Sequence, residues 1–208
     1  MTVNDLPLYD VIREEMSLAP PIKLEGWTDF DKGKELVDLV LREKPKVVVE
    51  LGVFGGRSLI CMALALRANG SGKAFGVDPW RLHTAIEGES DPENIKWWTQ
   101  NVNLHDIHKG CMEAIWRLGL EQWAIIVRAA SQDVKQLFPM IDLLHIDGNH
   151  SELASCRDVE NFVTRVPSGK WIVFDDTNWA STRKAVALLN GMCELVKDFT
   201  SWRLYQRR

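Results

Sequence analysis

Apolar residues along the chain fall into short blocks separated by longer mixed stretches. KVVVEL (46–51), AFGVD (74–78), AIIVRA (124–129), IDLLHID (141–147) and WIVFDD (171–176) are rich in β-branched residues and lack strict polar alternation. Such blocks are expected of strands covered on both faces in a parallel sheet. Between them the apolar spacing turns helical. One helix is predicted around 58–68, closed by Asn69-Gly70, and another over about 151–166 with Ser151 as its N-cap. A third follows Ser181, again a candidate cap, and runs to Asn190-Gly191. CELVKDF (193–199) and WRLYQ (202–206) are joined by a link too short for a crossover, so they predict an antiparallel hairpin. Strand–helix alternation with right-handed crossovers gives an α/β fold: a doubly wound seven-stranded sheet, mostly parallel with an antiparallel last strand, helices on both faces.

The stretch 79–123 is longer than one crossover helix needs, and it predicts two helices and a loop forming a lid-like insertion over a site. Pro20-Pro21 divides an N-terminal helical appendage, 1–26, from the main domain, 27–208. Hydrophobic residues at 46% and charged residues at 26% exclude global disorder. A net charge of −4 argues against nucleic acid as the partner. Four cysteines without a CxxC pair give no zinc or thioredoxin-type signature and suit a reduced, cytoplasmic protein. The first 20 residues lack the apolar run of a secretory signal, and the longest apolar stretch, 59–66, is far short of a membrane span, so no membrane association is expected.

Acids close four of the five parallel blocks: Glu50, Asp78, Asp147 and the pair Asp175-Asp176. In a parallel sheet these ends share one edge, where ligands of open α/β sheets bind. Uncompensated, so many like charges would repel, and bound cations are the natural remedy. The first block runs into ELGVFGGRS (50–58), whose Gly52, Gly55 and Gly56 permit a tight turn and close backbone approach to a ligand. Dinucleotide sites prefer G-x-G-x-x-G and seat a pyrophosphate, which Glu50 would repel. Glu50 suits a cationic amino-acid moiety instead. Asp78 can accept from ribose hydroxyls, and Trp80 beyond it offers a face for adenine. His145, inside the fourth block, reads as a satisfied core histidine, and His105 with His108 as an exposed helix end.

ELGVFGGRS followed by GVDPW resembles the cofactor half of class I S-adenosylmethionine (SAM)-dependent methyltransferases of Rossmann-like fold. HIDGNH (145–150) and VFDDTNW (173–179) narrow the likeness to the metal-dependent macrocin O-methyltransferase-like group, methyltransferase family 24, with catechol-type enzymes as more distant relatives. The resemblance implies that Glu50, Gly52, Phe54 and Ser58 line the methionine end of SAM, Asp78 holds the ribose, and Ser131 with Gln132 lie near the adenine. It implies Asp147, Asp175 and Asp176 as ligands of Mg²⁺ or another hard divalent cation, with Asp147 also close to SAM, and His150 as the base. The turn departs from G-x-G-x-G at Phe54, and Asn149 stands where Asp is common, which implies a changed outer shell around the metal.

The implied reaction moves a methyl group from SAM to a hydroxyl of a small molecule, such as a sugar or natural-product acceptor. A SAM- or nucleotide-binding module without catalysis, or an NAD-dependent oxidoreductase, are the other readings; Glu50 and the missing G-x-G-x-x-G disfavour the latter. With no separate substrate domain in 208 residues, a homo-oligomer in which a second copy completes the pocket is a further expectation. Nine tryptophans stand beside two tyrosines. Trp27 precedes the first strand, Trp80, Trp97 and Trp98 sit in the lid or just past a strand end, and Trp179 follows a strand end at the acidic rim, while Trp116, Trp123, Trp171 and Trp202 fall in core positions.

Overall fold

The apolar block at the first acid forms strand β1, Val47–Leu51. Val48 belongs to one buried cluster and Val49 and Leu51 to the other, the period-two division of a strand covered on both sides. The computed structural model describes residues 7–18 and 24–208; the Pro20-Pro21 boundary lies outside the described residues.

After α1 (Leu8–Ser17) and α2 (Phe30–Glu43), β1 leads into α3 (Arg57–Asn69) and β2 (Lys73–Val77). The insertion follows as α4 (Leu82–Ala85), α5 (Pro92–Asn101) and α6 (Leu104–Arg117), and then β3 (Ala124–Val127) and the single turn α7 (Ser131–Val134). The chain finishes with β4 (Leu143–Ile146), α8 (Glu152–Phe162), β5 (Trp171–Asp175), α9 (Arg183–Met192), β6 (Cys193–Asp198) and β7 (Trp202–Arg207). Strand order is β3-β2-β1-β4-β5-β7-β6. The first five strands are parallel, and β7 is antiparallel to both β5 and β6. The order reverses between β1 and β4, so the carboxyl ends of these two strands flank the crevice where ligands of such sheets bind.

The seven strands and the helices on both faces are as the sequence predicts, with several local differences. β7 inserts between β5 and β6, a placement that the hairpin alone does not specify. The insertion holds three helices rather than two. Asp91 and Asn103 start α5 and α6 by accepting backbone N–H groups, so each polar residue breaks the segment anew. Ser151 caps α8 by accepting from the Ala154 amide, but the cap of α9 is Thr182, not Ser181. The Thr182 hydroxyl instead donates to the carbonyls of Asp176 and Trp179, tying the start of α9 to the end of β5. All four cysteines are buried and unpaired, and no helix of the described residues is long and apolar enough to cross a membrane.

The described part of the N-terminal segment packs onto the main domain. Glu15 of α1 holds Arg117 of α6 through two bonds of 2.5 and 2.7 Å. Arg57, the first residue of α3, donates to the carbonyls of Met16, Gly26 and Thr28. The segment leading into α2 is thereby fixed beside the turn after β1.

Candidate active site

At the end of β1 the chain turns through Gly52 (φ +83°) and Gly56 (φ +85°), left-handed conformations that favour glycine. Asp78, just past β2, holds this turn: one carboxylate oxygen accepts from the amides of Val53 and Phe54, both at 3.0 Å, and the other from Trp80 at 2.6 Å. Burial pushes the Asp78 carboxyl above its usual range despite these three N–H groups. The Trp80 indole donates to the Phe54 carbonyl at 2.8 Å, and its ring packs against His108. Trp80 is therefore a buried brace beneath the turn rather than part of the cavity wall, because its N–H finds its partner in the backbone there.

A cavity of about 1160 Å³ opens over the turn, large enough for a nucleoside cofactor and a second molecule. Gly52, Phe54, Ser58, Asp78, Ser131, Gln132, Asp147, His150, Asp175 and Asp176 all line it. Glu50 lies behind that wall, fully buried. Its Oε1 takes a hydrogen bond from Ser58 and lies 2.7 Å from His145 Nδ1, while Oε2 has no protein partner. An orphaned carboxylate oxygen in such a place has a large desolvation cost unless a cationic ligand reaches it.

Sequence reasoning missed how the rim is neutralised. His145 Nε2 lies 2.6 Å from Asp175 Oδ2, so both ring nitrogens face carboxylates, an arrangement that favours the doubly protonated ring. Burial works against this charge, but the bonds to Asp175 and Glu50 outweigh it and lift the imidazole to about 9. His145 is the satisfied core histidine that the sequence predicts, and its two bonds also join Glu50 to Asp175. Lys32 of α2 adds a second cation, with Nζ 2.5 Å from Asp175 Oδ2 and 3.5 Å from Asp147 Oδ2. Burial disfavours that ammonium, yet the Asp147 and Asp175 charges keep it above the ordinary lysine range. Asp175 is correspondingly held well below the carboxylate range, burial being outweighed by Lys32 and His145. Asp147 moves up, driven by burial and then by the charge of Asp175.

The third acid, Asp176, has φ +49°, a left-handed conformation costly for a residue with a side chain. Its carbonyl accepts from Thr182 and Trp179, and its Oδ2 lies 2.8 Å from His150 Nε2. The His150 ring leans on Trp179 with centroids 5.1 Å apart. Asp147 stands between two groups whose donor atoms lie within 4.8 Å of one another, one with His145 and Asp175, the other with His150 and Asp176. Each group thus pairs two carboxylates with one histidine, an oxygen-rich set that suits a hard cation better than a thiophilic metal, and Asp175 and Asp176 fall in different groups.

Asn149 does not turn toward the acids. Its Nδ2 donates to the carbonyls of Thr84, Ala85 and Glu87, and its Oδ1 accepts from Ser151. A carboxylate could not donate to three carbonyls, so the amide at this position latches α4 and the following loop to the end of β4. The insertion thus forms one wall of the cavity. Trp27 is stacked on Phe54 (4.9 Å, 28°), Trp98 meets Phe54 edge-on at 5.9 Å, and Trp97 touches both tryptophans. Trp27, Trp97, Trp98 and Trp179 line the cavity as a group. Trp116, by contrast, is 74% exposed rather than core.

At the opposite end, Ser131 donates to Asp158 of α8 at 2.5 Å, and Gln132 Oε1 lies 3.3 Å from Arg157. Burial raises the Asp158 carboxyl to about 6, although Ser131 and Arg157 lower it. A folded-state value above the unfolded one makes the acid's contribution greatest below pH 3.8, and that contribution is lost as pH rises through about 6. Asp158→Asn, which keeps an acceptor for Ser131, should therefore stabilise the protein above pH 7 by about 2–3 kcal/mol, with the gain vanishing near pH 4. Thermal unfolding of both proteins at the two pH values checks this; an equal effect at both would refute it.

The family model described as "Methyltransferase domain" matches residues 49–177, more than half of the chain. No curated protein sequence matches. Among solved structures, the O-methyltransferase NovP superposes with a TM-score of 0.63 at 18% identity, covering 85% of this chain and 78% of its own. The O-methyltransferase from Bacillus cereus, in complex with S-adenosylhomocysteine (SAH), gives 0.62 at 13% identity, with 96% and 90% covered. TomG from Streptomyces achromogenes, an O-methyltransferase of tomaymycin synthesis in complex with SAM, gives 0.62 at 13%, with 98% and 90% covered. At these identities the structures establish a shared fold, and the sequence model establishes kinship: the chain belongs to the methyltransferase-domain family.

Proposed function

We propose that this enzyme transfers the methyl group of SAM to a hydroxyl of a small molecule bound at the acid rim. The observation that carries the reading is Glu50: a buried carboxylate with one oxygen unpartnered, directly behind the glycine turn. The SAM amino group is a cation of the kind that oxygen lacks, and it meets Glu50 once the turn between the cavity and the buried carboxylate opens to admit it. Gly52 and Phe54 lie along the methionine portion, the Asp78 side offers the ribose its acceptors, and Ser131 with Gln132 face the adenine. Asp78 already accepts three backbone N–H groups, so it orders the turn as well as meeting the ribose.

The acceptor hydroxyl lies between His150 and the acids. Asp176 fixes the histidine tautomer: a proton on Nε2 is shared with its carboxylate, leaving Nδ1 as the lone-pair nitrogen of the neutral ring. His150 takes the hydroxyl proton there, the oxygen attacks the sulfonium methyl, and the C–S bonding pair stays on sulfur to give SAH. Asp147, Asp175 and Asp176 would hold Mg²⁺ or a similar ion, which when bound polarises the acceptor oxygen and lowers its pKa. Before an ion binds, His145 and Lys32 keep Asp175 charged and oriented. The aromatic group of Trp27, Phe54, Trp97 and Trp98 supplies flat apolar area for a ring-bearing acceptor and excludes water from the sulfonium. NovP and TomG, named as O-methyltransferases, support hydroxyl as the acceptor group.

Calorimetric SAM binding followed by a labelled-SAM screen of hydroxylated aromatics and sugars tests the reading. Binding with transfer to oxygen is expected. Binding without transfer to any hydroxyl compound, or transfer only to amines or thiols, would overturn it.

A further inference from the structure

Lys32 sits in the first turn of α2, whose start is set by Asp29 accepting the Lys32 amide. Its side chain leaves the helix toward the sheet and ends between Asp175 and Asp147, at 2.5 and 3.5 Å. His145 approaches the same Asp175 oxygen from beneath at 2.6 Å and lies 3.9 Å from Asp147. The two cations differ in freedom. His145 is fixed within β4 and fully buried, whereas Lys32 has a flexible four-carbon stem and lines the open cavity. An ammonium bracketed by two carboxylates fills the position from which a divalent ion would reach both. Two cations within about 4 Å repel by several kcal/mol at the effective dielectric of a protein site, so they cannot share it.

We propose that Lys32 is the built-in occupant of the cation position, and that a divalent ion enters the acid centre only by displacing the Lys32 ammonium into the cavity. The proposal rests on the reading of Asp147, Asp175 and Asp176 as cation ligands, and it adds an exchange step to it. Without the ion, Lys32 and His145 together balance the buried acids, so the centre keeps its shape. With the ion, the displaced ammonium lies at the cavity wall, where it can meet an acceptor's oxygen or carboxylate. The ion's affinity is then lowered by whatever the Lys32–Asp175 pair is worth.

Mn²⁺ binding to the full chain, read from the electron paramagnetic resonance signal of the free ion, tests the exchange. Lys32→Met, which keeps the apolar stem, should bind Mn²⁺ about ten- to a hundredfold more tightly than the wild type, or roughly 1.4–2.8 kcal/mol. A second readout needs no variant: acetylation of Lys32, followed by mass spectrometry, should be slow in the metal-free wild type and rise when Mg²⁺ or Mn²⁺ is added. Equal or weaker Mn²⁺ binding by Lys32→Met, or an acetylation rate indifferent to bound ion, overturns the exchange while leaving the acids as ligands. No Mn²⁺ bound by either protein removes the cation reading itself, and the exchange with it. Binding by the variant alone supports exchange in its strongest form, with Lys32 excluding the ion.

Discussion

Asp175→Asn should lower kcat/KM by at least about a hundredfold, the size expected when a charged group that organises a reacting oxygen is lost. The carboxylate is nearly buried and accepts from Lys32 at 2.5 Å and His145 at 2.6 Å. The amide is isosteric, so packing is kept while the charge is lost. Its loss leaves Lys32 leaning on Asp147 alone and removes one of the two acids that hold His145 protonated. Breaking a buried pair from one side costs about 3–5 kcal/mol, so a lower midpoint of thermal unfolding should accompany the kinetic defect. The same change should weaken SAM binding, because Glu50 shares His145 with Asp175. Assays are run well below the variant's unfolding transition, with circular dichroism confirming the fold. A kcat/KM within about threefold of wild type would show that the acid pair serves stability alone, since far larger losses attend removal of a charge-stabilising group.

The parts of this site that the sequence reveals are those set by local pattern. Strand blocks ending in acids, with a parallel sheet implied, are enough to bring Glu50, Asp78, Asp147, Asp175 and Asp176 to one edge, and the structure places them there. His145 could have been found by one further step. It pairs in register with Glu50 across β1 and β4, so an imidazole and a carboxylate share a strand position in an otherwise apolar layer. Two unpaired polar side chains are not expected in such a layer, and that predicts a bond between them. Lys32 left no comparable signal. It lies two residues from Lys34, which makes an ordinary exposed pair with Asp38 along the helix. Both are lysines on an amphipathic helix, and only the packing of α2 against the sheet distinguishes them. Trp80 illustrates the opposite error. Its place after a strand end suggests a cofactor contact, but its left-handed backbone turns the indole inward to the Phe54 carbonyl. Asn149 is similar: Asp147 lies two residues before it in sequence, while its side-chain amide donates to carbonyls of the insertion more than sixty residues earlier.

Gly52→Ala should be the most damaging change that removes no functional group. Residue 52 has φ +83°, so any side chain there is strained by itself. The added methyl would also sit 2.1 Å from the Asp147 carbonyl oxygen and 2.6 Å from Gly148 Cα, far inside contact distance and against backbone. Neither side can give way cheaply. The Gly52 amide is bonded to Val77 of β2, and the Asp147 amide to Leu51 of β1, so separating the two strand ends breaks the sheet at its switch point. Strain and clash together predict a loss of about 4 kcal/mol, or roughly 8–16 °C in the unfolding midpoint of a chain this size. Gly70→Ala is the matched control, since φ there is +66° and nothing lies within 4 Å of the added carbon. It should cost only the left-handed penalty, about 1 kcal/mol. The pair separates close approach from backbone conformation. If the turn is the SAM cradle, Gly52→Ala should also lose measurable SAM affinity at a temperature where it remains folded, while Gly70→Ala binds as the wild type does. Equal midpoints for the two variants would mean that β1 and β4 part easily at this point, and the tight crossing of their ends would lose its role in holding Asp147 beside the turn.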